Sequence, residues 1–306
     1  MRKFLTTLII FSITFIIADS CFYFVLDHSA ELEVDKRLED VINGNINKDI
    51  VIIGSSRGAR NILANQLEKR SKLTAFNLSY PGSNIAFHTF LLQSLIKFNE
   101  KPEIVLLAID DPAELIYNNS LNYRYERLYP LVKYDYINDE MIKHDKKNWL
   151  SKYVNFLRGN KSNLDLGRKH FSKMDTILQC GSMPIKGKSK DIKFDNNNQS
   201  YNIDDELPEK VEAFLAFQEL CFRNNIKLIF CFSPNFYKFN RSFEKRIQSL
   251  CRKGNEVFVY DASNPIYKDS SLFYDHLHLQ KKGALIYTKE VSDFIVQKMK
   301  LFPSKI

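Results

Sequence analysis

The side chains best suited to covalent chemistry lie far apart in this chain. Gly54-Ser55-Ser56-Arg57 follows the apolar run Asp49-Ile50-Val51-Ile52-Ile53, and Asp275-His276-Leu277-His278 lies near the other end. A serine hydroxyl is a weak nucleophile until a base takes its proton, and an imidazole does this best when a carboxylate fixes its tautomer. Ser56 lies one residue further past the apolar run than Ser55, where a helix would begin and its own N–H would turn into the site, so Ser56 is the expected nucleophile. Asp275 and His278 are spaced to face one way in a turn, giving His278 as base and Asp275 as its orienter, with His276 as the alternative base. The chemistry these residues would perform is acyl transfer. A bare Gly-Ser-Ser also serves as an ordinary turn and paired histidines occur in solvated loops, so the combination of clusters carries the reading.

Two other segments could finish such a site. In Asn77-Leu78-Ser79-Tyr80-Pro81-Gly82-Ser83-Asn84, the side-chain-free Gly82 could bring its N–H close to an oxyanion. Asp110-Asp111-Pro112 closes another apolar run, and Arg57 and Arg60 follow the serine within about a turn. These arginines could hold an anionic substrate or pair with the two carboxylates, which would otherwise repel each other.

The elements that must position these residues read as βαβ units, with strands predicted at 49–54, 74–79, 103–109, 226–232 and 256–261. Helical spacing joins Ile85, Leu92, Leu95 and Ile96. It also joins Val211, Phe214, Phe217 and Cys221, and, from Lys281 on, Ala284, Tyr287, Val291 and Phe294. An α/β fold with a mainly parallel sheet follows, and in such sheets ligands bind beyond the carboxyl ends of the strands. The stretch 113–205 breaks the rhythm as an insertion rich in Lys, Asn and Tyr, with loops around 186–190 and 196–198. Its tyrosines 117, 123, 125, 129, 134 and 136 could stack on sugar rings or pack the insertion's own core.

At 306 residues and 44% hydrophobic composition the chain can bury one full-sized core. Met1-Arg2-Lys3 precedes an apolar stretch at 4–26, long enough to span a bilayer core of about 30 Å, with the basic start on the cytoplasmic side. A cleaved leader has a similar start, but no small-x-small site precedes a polar mature end, so residues 1–27 are expected to be an uncleaved anchor and 28–306 the catalytic domain. The domain would then lie outside the cytoplasmic membrane as a single-pass protein. Asp19 inside the apolar stretch either contacts another membrane helix or sits near the interface. Five cysteines show no metal-ligand spacing, and no cofactor is implied. The net charge of +8 suits an anionic polymer or lipid head groups, while the absence of a recognisable motif argues against nucleic acid.

The order of the segments resembles the SGNH (GDSL-like) hydrolase superfamily, over about 49–110 and 207–301. Its serine block is matched by Gly54-Ser55-Ser56-Arg57, a form familiar from membrane-anchored envelope members. Gly82 matches the second block and Asp275 with His278 the last. The third block, Gly-x-Asn-Asp in the superfamily, reads Ala108-Ile109-Asp110-Asp111, so Asp110 stands where an amide donor is expected. The resemblance implies a three-layer α/β/α, flavodoxin-like fold and a Ser56-His278-Asp275 triad, with Gly82 donating to the oxyanion. Asp110 would then be protonated, turned aside with Asn84 donating instead, bound to an arginine, or the mark of a slow enzyme. The implied activity is that of a serine esterase or O-acyl transferase, acetyl being the simplest acyl group. Its substrate would be an acylated envelope polysaccharide or glycolipid. The alternative is an accessory protein that assembles with a membrane acyltransferase.

Overall fold

A computed structural model describes residues 1–164, 176–187, 191–197 and 200–301. In chain order the helices are α1 (Arg2–Glu31), α2 (Arg37–Ile42), α3 (Ser56–Asn61), α4 (Ala64–Ser71), α5 (Ile85–Phe98), α6 (Asp135–Lys143), α7 (Lys161–Leu164), α8 (Pro208–Arg223), α9 (Arg241–Leu250) and α10 (Lys281–Leu301). The strands are β1 (Ile50–Gly54), β2 (Ala75–Asn77), β3 (Ile104–Ile109), β4 (Lys227–Phe232) and β5 (Glu256–Val259). The loops expected at 186–190 and 196–198 lie partly outside the described residues.

By its contacts the chain forms two units, Met1–Glu39 with Arg124–His170, and Asp40–Tyr123 with Phe171–Ile306. The second holds the sheet, which is parallel throughout in the order β2-β1-β3-β4-β5. This is the flavodoxin-like order, with helices on both faces. All five strands coincide with the apolar runs read from the sequence, because a parallel strand covered on both faces is written as an unbroken run rather than an alternation. Successive residues supply opposite faces. Ile50, Ile52, Leu106 and Ile229 join α4 and Ala284, Tyr287 and Val291 of α10 in one core. On the other face Phe214 of α8 stacks on Phe230 at 5.1 Å, and α8 packs on α5. Each such fully buried ring contributes about 1.5–3 kcal/mol.

In the first unit, α1 is long and apolar enough to cross a membrane. Its apolar side chains from Phe4 to Ile17 are exposed, whereas Asp19 is buried. The Asp19 carboxylate accepts the backbone N–H groups of Asn155 and Phe156 at 3.0 and 2.8 Å, and the Asn155 side-chain amide at 3.1 Å. These donors, all from the same unit of the chain, satisfy the charge of Asp19 within an otherwise apolar stretch of α1. Further along α1, Phe22 meets Phe156 at 4.8 Å, Lys133 donates to Asp27 at 2.6 Å, and Asn163 donates to Ser29 at 3.1 Å.

Candidate active site

The site is built at the carboxyl ends of β1 and β3. β1 stops at Gly54, Ser55 caps α3, and Ser56 is the first residue of that helix. The first N–H of a helix has no carbonyl partner, and that of Ser56 makes no hydrogen bond among the described residues. Ser55 is fully buried. Its Oγ donates to Asp110 at 2.7 Å and accepts from the Arg57 N–H, so this hydroxyl is committed to holding the corner. Gly58, the third residue of α3, lies so close to β2's continuation that a Cβ there would fall on Ser79 Oγ.

Ser56 is half-buried, and its Oγ lies 2.7 Å from His278 Nε2, across 222 positions of sequence. The opposite ring nitrogen, Nδ1, faces both oxygens of Asp275 at 2.9 and 3.0 Å. An ionised carboxylate only accepts, so Nδ1 carries the hydrogen and the Nε2 lone pair is left for the Ser56 proton. Burial opposes ionisation of Asp275, but bonds from the His278 ring and from the N–H groups of Leu277 and His278 outweigh it. Its carboxyl therefore lies well below the usual carboxylate range. His276 is turned away, its ring toward Lys193 O at 3.1 Å.

A residue without any sequence signal straps this loop to α3. Asn61, fully buried, accepts the Leu279 N–H on Oδ1 at 2.9 Å, and its Nδ2 donates to Leu277 O at 3.4 Å, so both sides of His278 are tied to the helix that carries Ser56.

Gly82 has φ +74, in the region that favours glycine. Its carbonyl accepts from Asn122 at 2.9 Å, while its N–H, like that of Ser56, makes no hydrogen bond among the described residues, and both residues line one cavity. The turn is fixed underneath by Ser83, whose Oγ lies 2.8 Å from His88 Nε2 and donates to Tyr80 O at 2.6 Å. Ser83, His88 and Glu114 repeat a serine–histidine–carboxylate order, but all three are buried, so this set is structural. Asn84 does not line the cavity. Its side-chain oxygen accepts the Phe87 N–H at 3.1 Å as the cap of α5.

Asp110 lines the cavity, held by Ser55 and 3.7 Å from Arg57 Nε. Burial and the neighbouring Glu114 raise its carboxyl above the ordinary range, against the pull of Arg57, Ser55 and His88. Burial likewise raises Asp111 to about 7, against Arg57. Arg57 is buried, and its guanidinium donates to Tyr237 OH at 3.0 Å and, more weakly, to the carbonyls of Ile109 and Asp111 at 3.4 and 3.5 Å. It stays charged and is spent on the end of β3, with only an edge lining the cavity. Tyr237, contributed from the loop after β4, was not legible as a site residue.

The cavity measures about 470 Å³ and contains Ser56, Gly82, Asp110, Tyr237 and His278 on its wall. None of the six tyrosines singled out between 117 and 136 lines it; Tyr123 instead packs on Phe87 and Phe90. Comparison with known proteins gives no relative to set beside this geometry: no protein-family model matches the chain, and no curated protein matches it.

Proposed function

We propose that the protein is a serine esterase or O-acyl transferase, with Ser56 as nucleophile, His278 as general base and acid, and Asp275 as its orienter. The observation that carries this reading is the unbroken line of hydrogen bonds from Asp275 through His278 to Ser56, opening on a cavity of about 470 Å³. As Ser56 Oγ bonds to the ester carbonyl carbon, its proton passes to His278 Nε2, and the imidazolium is stabilised by Asp275. The oxyanion takes the N–H groups of Ser56 and Gly82. Collapse expels the alkoxide, which receives the proton from Nε2, and leaves an acyl-Ser56. Water, or a second hydroxyl group, then gives its proton to His278 and takes the acyl group, restoring the serine.

The resemblance to SGNH hydrolases supports an O-acyl substrate, taken as acetyl, on an envelope polysaccharide or glycolipid. The exposed apolar half of α1 supports anchoring in the cytoplasmic membrane, with the rest of the chain outside the cytoplasm. Asp110 in an amide's place favours a second reading, an accessory protein that assembles with a membrane acyltransferase. Incubation of the whole chain with a fluorophosphonate and with an acetate ester separates the two. The enzyme reading requires labelling and turnover that vanish in Ser56→Ala; equal labelling of wild type and variant sinks it.

A further inference from the structure

A cluster of large apolar side chains in the first unit is left exposed among the described residues. Within Trp149–Lys152 and Asn155–Leu157, both 3-10 turns, Trp149 is 61% and Tyr153, between the turns, 75% exposed. Leu150, Phe156 and Leu157 are exposed beside them. A soluble surface rarely gathers so many large apolar groups in nine residues without a partner.

The position of the cluster identifies that partner. The same segment grips α1, because the Asn155 and Phe156 N–H groups bind Asp19 and the Phe156 ring meets both Phe15 at 6.2 Å and Phe22 at 4.8 Å. The segment therefore sits where the exposed apolar half of α1 ends and its protein-packed half begins. From Arg2 to Asp19 the helix rises only about 25 Å, less than the hydrocarbon core of about 30 Å. Tryptophan and tyrosine favour the boundary between acyl chains and head groups, where an apolar ring body and a polar edge are both satisfied.

We infer that residues 149–157 form a collar seated in the membrane interface around the point where α1 leaves the bilayer, with phospholipid as its partner. This inference rests on the anchoring read for α1. It also accounts for Asp19, an acid placed where lipid gives way to the backbone donors of the collar itself.

Trp149 is the only tryptophan in the chain, so its fluorescence reports on the collar alone. The full chain is reconstituted in phosphatidylcholine vesicles, washed with alkaline carbonate, and exposed to iodide on both sides. The expected result is a blue-shifted emission, protected from iodide and quenched more by phosphatidylcholine spin-labelled near the head group than near the bilayer centre. Vesicle-retained protein whose Trp149 is untouched by lipid labels overturns the collar and leaves the anchor standing, whether iodide quenches it, which shows an exposed segment, or does not, which assigns the protection to a protein partner. Protein washed off the vesicles overturns both. A triple variant, Leu150→Ser with Tyr153→Ser and Leu157→Ser, should stay anchored and keep fluorophosphonate labelling at Ser56 while Trp149 becomes open to iodide.

Discussion

In the proposed reaction Ser56 depends on one lone pair, that of His278 Nε2, and Asp275 keeps it available by holding the hydrogen on Nδ1. Ser56→Ala should lower kcat by several orders of magnitude, up to about 10⁶-fold. Asp275→Asn should cost about 10⁴-fold, because an amide can favour the wrong tautomer. Steady-state kinetics on an acetate ester would measure both. Asp110 calls for a pH profile. Its raised pKa keeps it neutral further up the pH scale than an ordinary aspartate, and on losing its proton it sets a negative charge beside the forming oxyanion. The wild-type rate should therefore fall on the alkaline side, and Asp110→Asn should retain activity there, because an amide stays neutral and keeps a donor at that position at every pH. A profile unchanged by the substitution would remove Asp110 from the reaction. At this scale the sequence singled out Ser56, His278 and Asp275 by type and spacing, and the structure brings the three within hydrogen-bond distance. It could not identify Asn61, Ser55 or Tyr237, since a lone buried polar residue declares no partner until the chain has folded.

Among the elements, the five strands were readable because burial on both faces leaves continuous apolar runs, and α5, α8 and α10 because one face of each is apolar. The union of α1 with 124–164 was not readable, since it depends on backbone donors and single ring contacts between segments more than a hundred positions apart. The strap from α3 to the histidine loop is testable at this level. Asn61→Ala leaves the Leu279 N–H buried without an acceptor, a loss of roughly 1–3 kcal/mol. It should lower kcat more than it raises KM, with circular dichroism unchanged, because Ser56 and His278 keep their identities but lose their common support. An unchanged kcat would make the strap a matter of stability alone.

For the whole molecule, the buried carboxyls beneath β3 link stability to pH. Asp111 binds its proton up to about pH 7 in the folded protein but only to about 3.8 when unfolded. The folded state therefore holds more protons between these values, and stability from this group is full below the lower value and lost as pH rises through the upper. Thermal unfolding followed from pH 4 to 8 should show the advantage of wild type over Asp111→Asn shrinking as pH rises. An advantage that grew with pH would mean that Arg57 keeps Asp111 charged.

The 222-residue span between Ser56 and His278 also has a bearing on how the chain folds. His278 follows β5 and precedes α10, while Ser56 follows β1, so no fragment made early can hold the pair together. Closing so long a loop is entropically costly and is repaid only when the intervening sheet has formed. Reactivity of Ser56 is thus a signal of completion: during refolding, helix content should return first and fluorophosphonate labelling last.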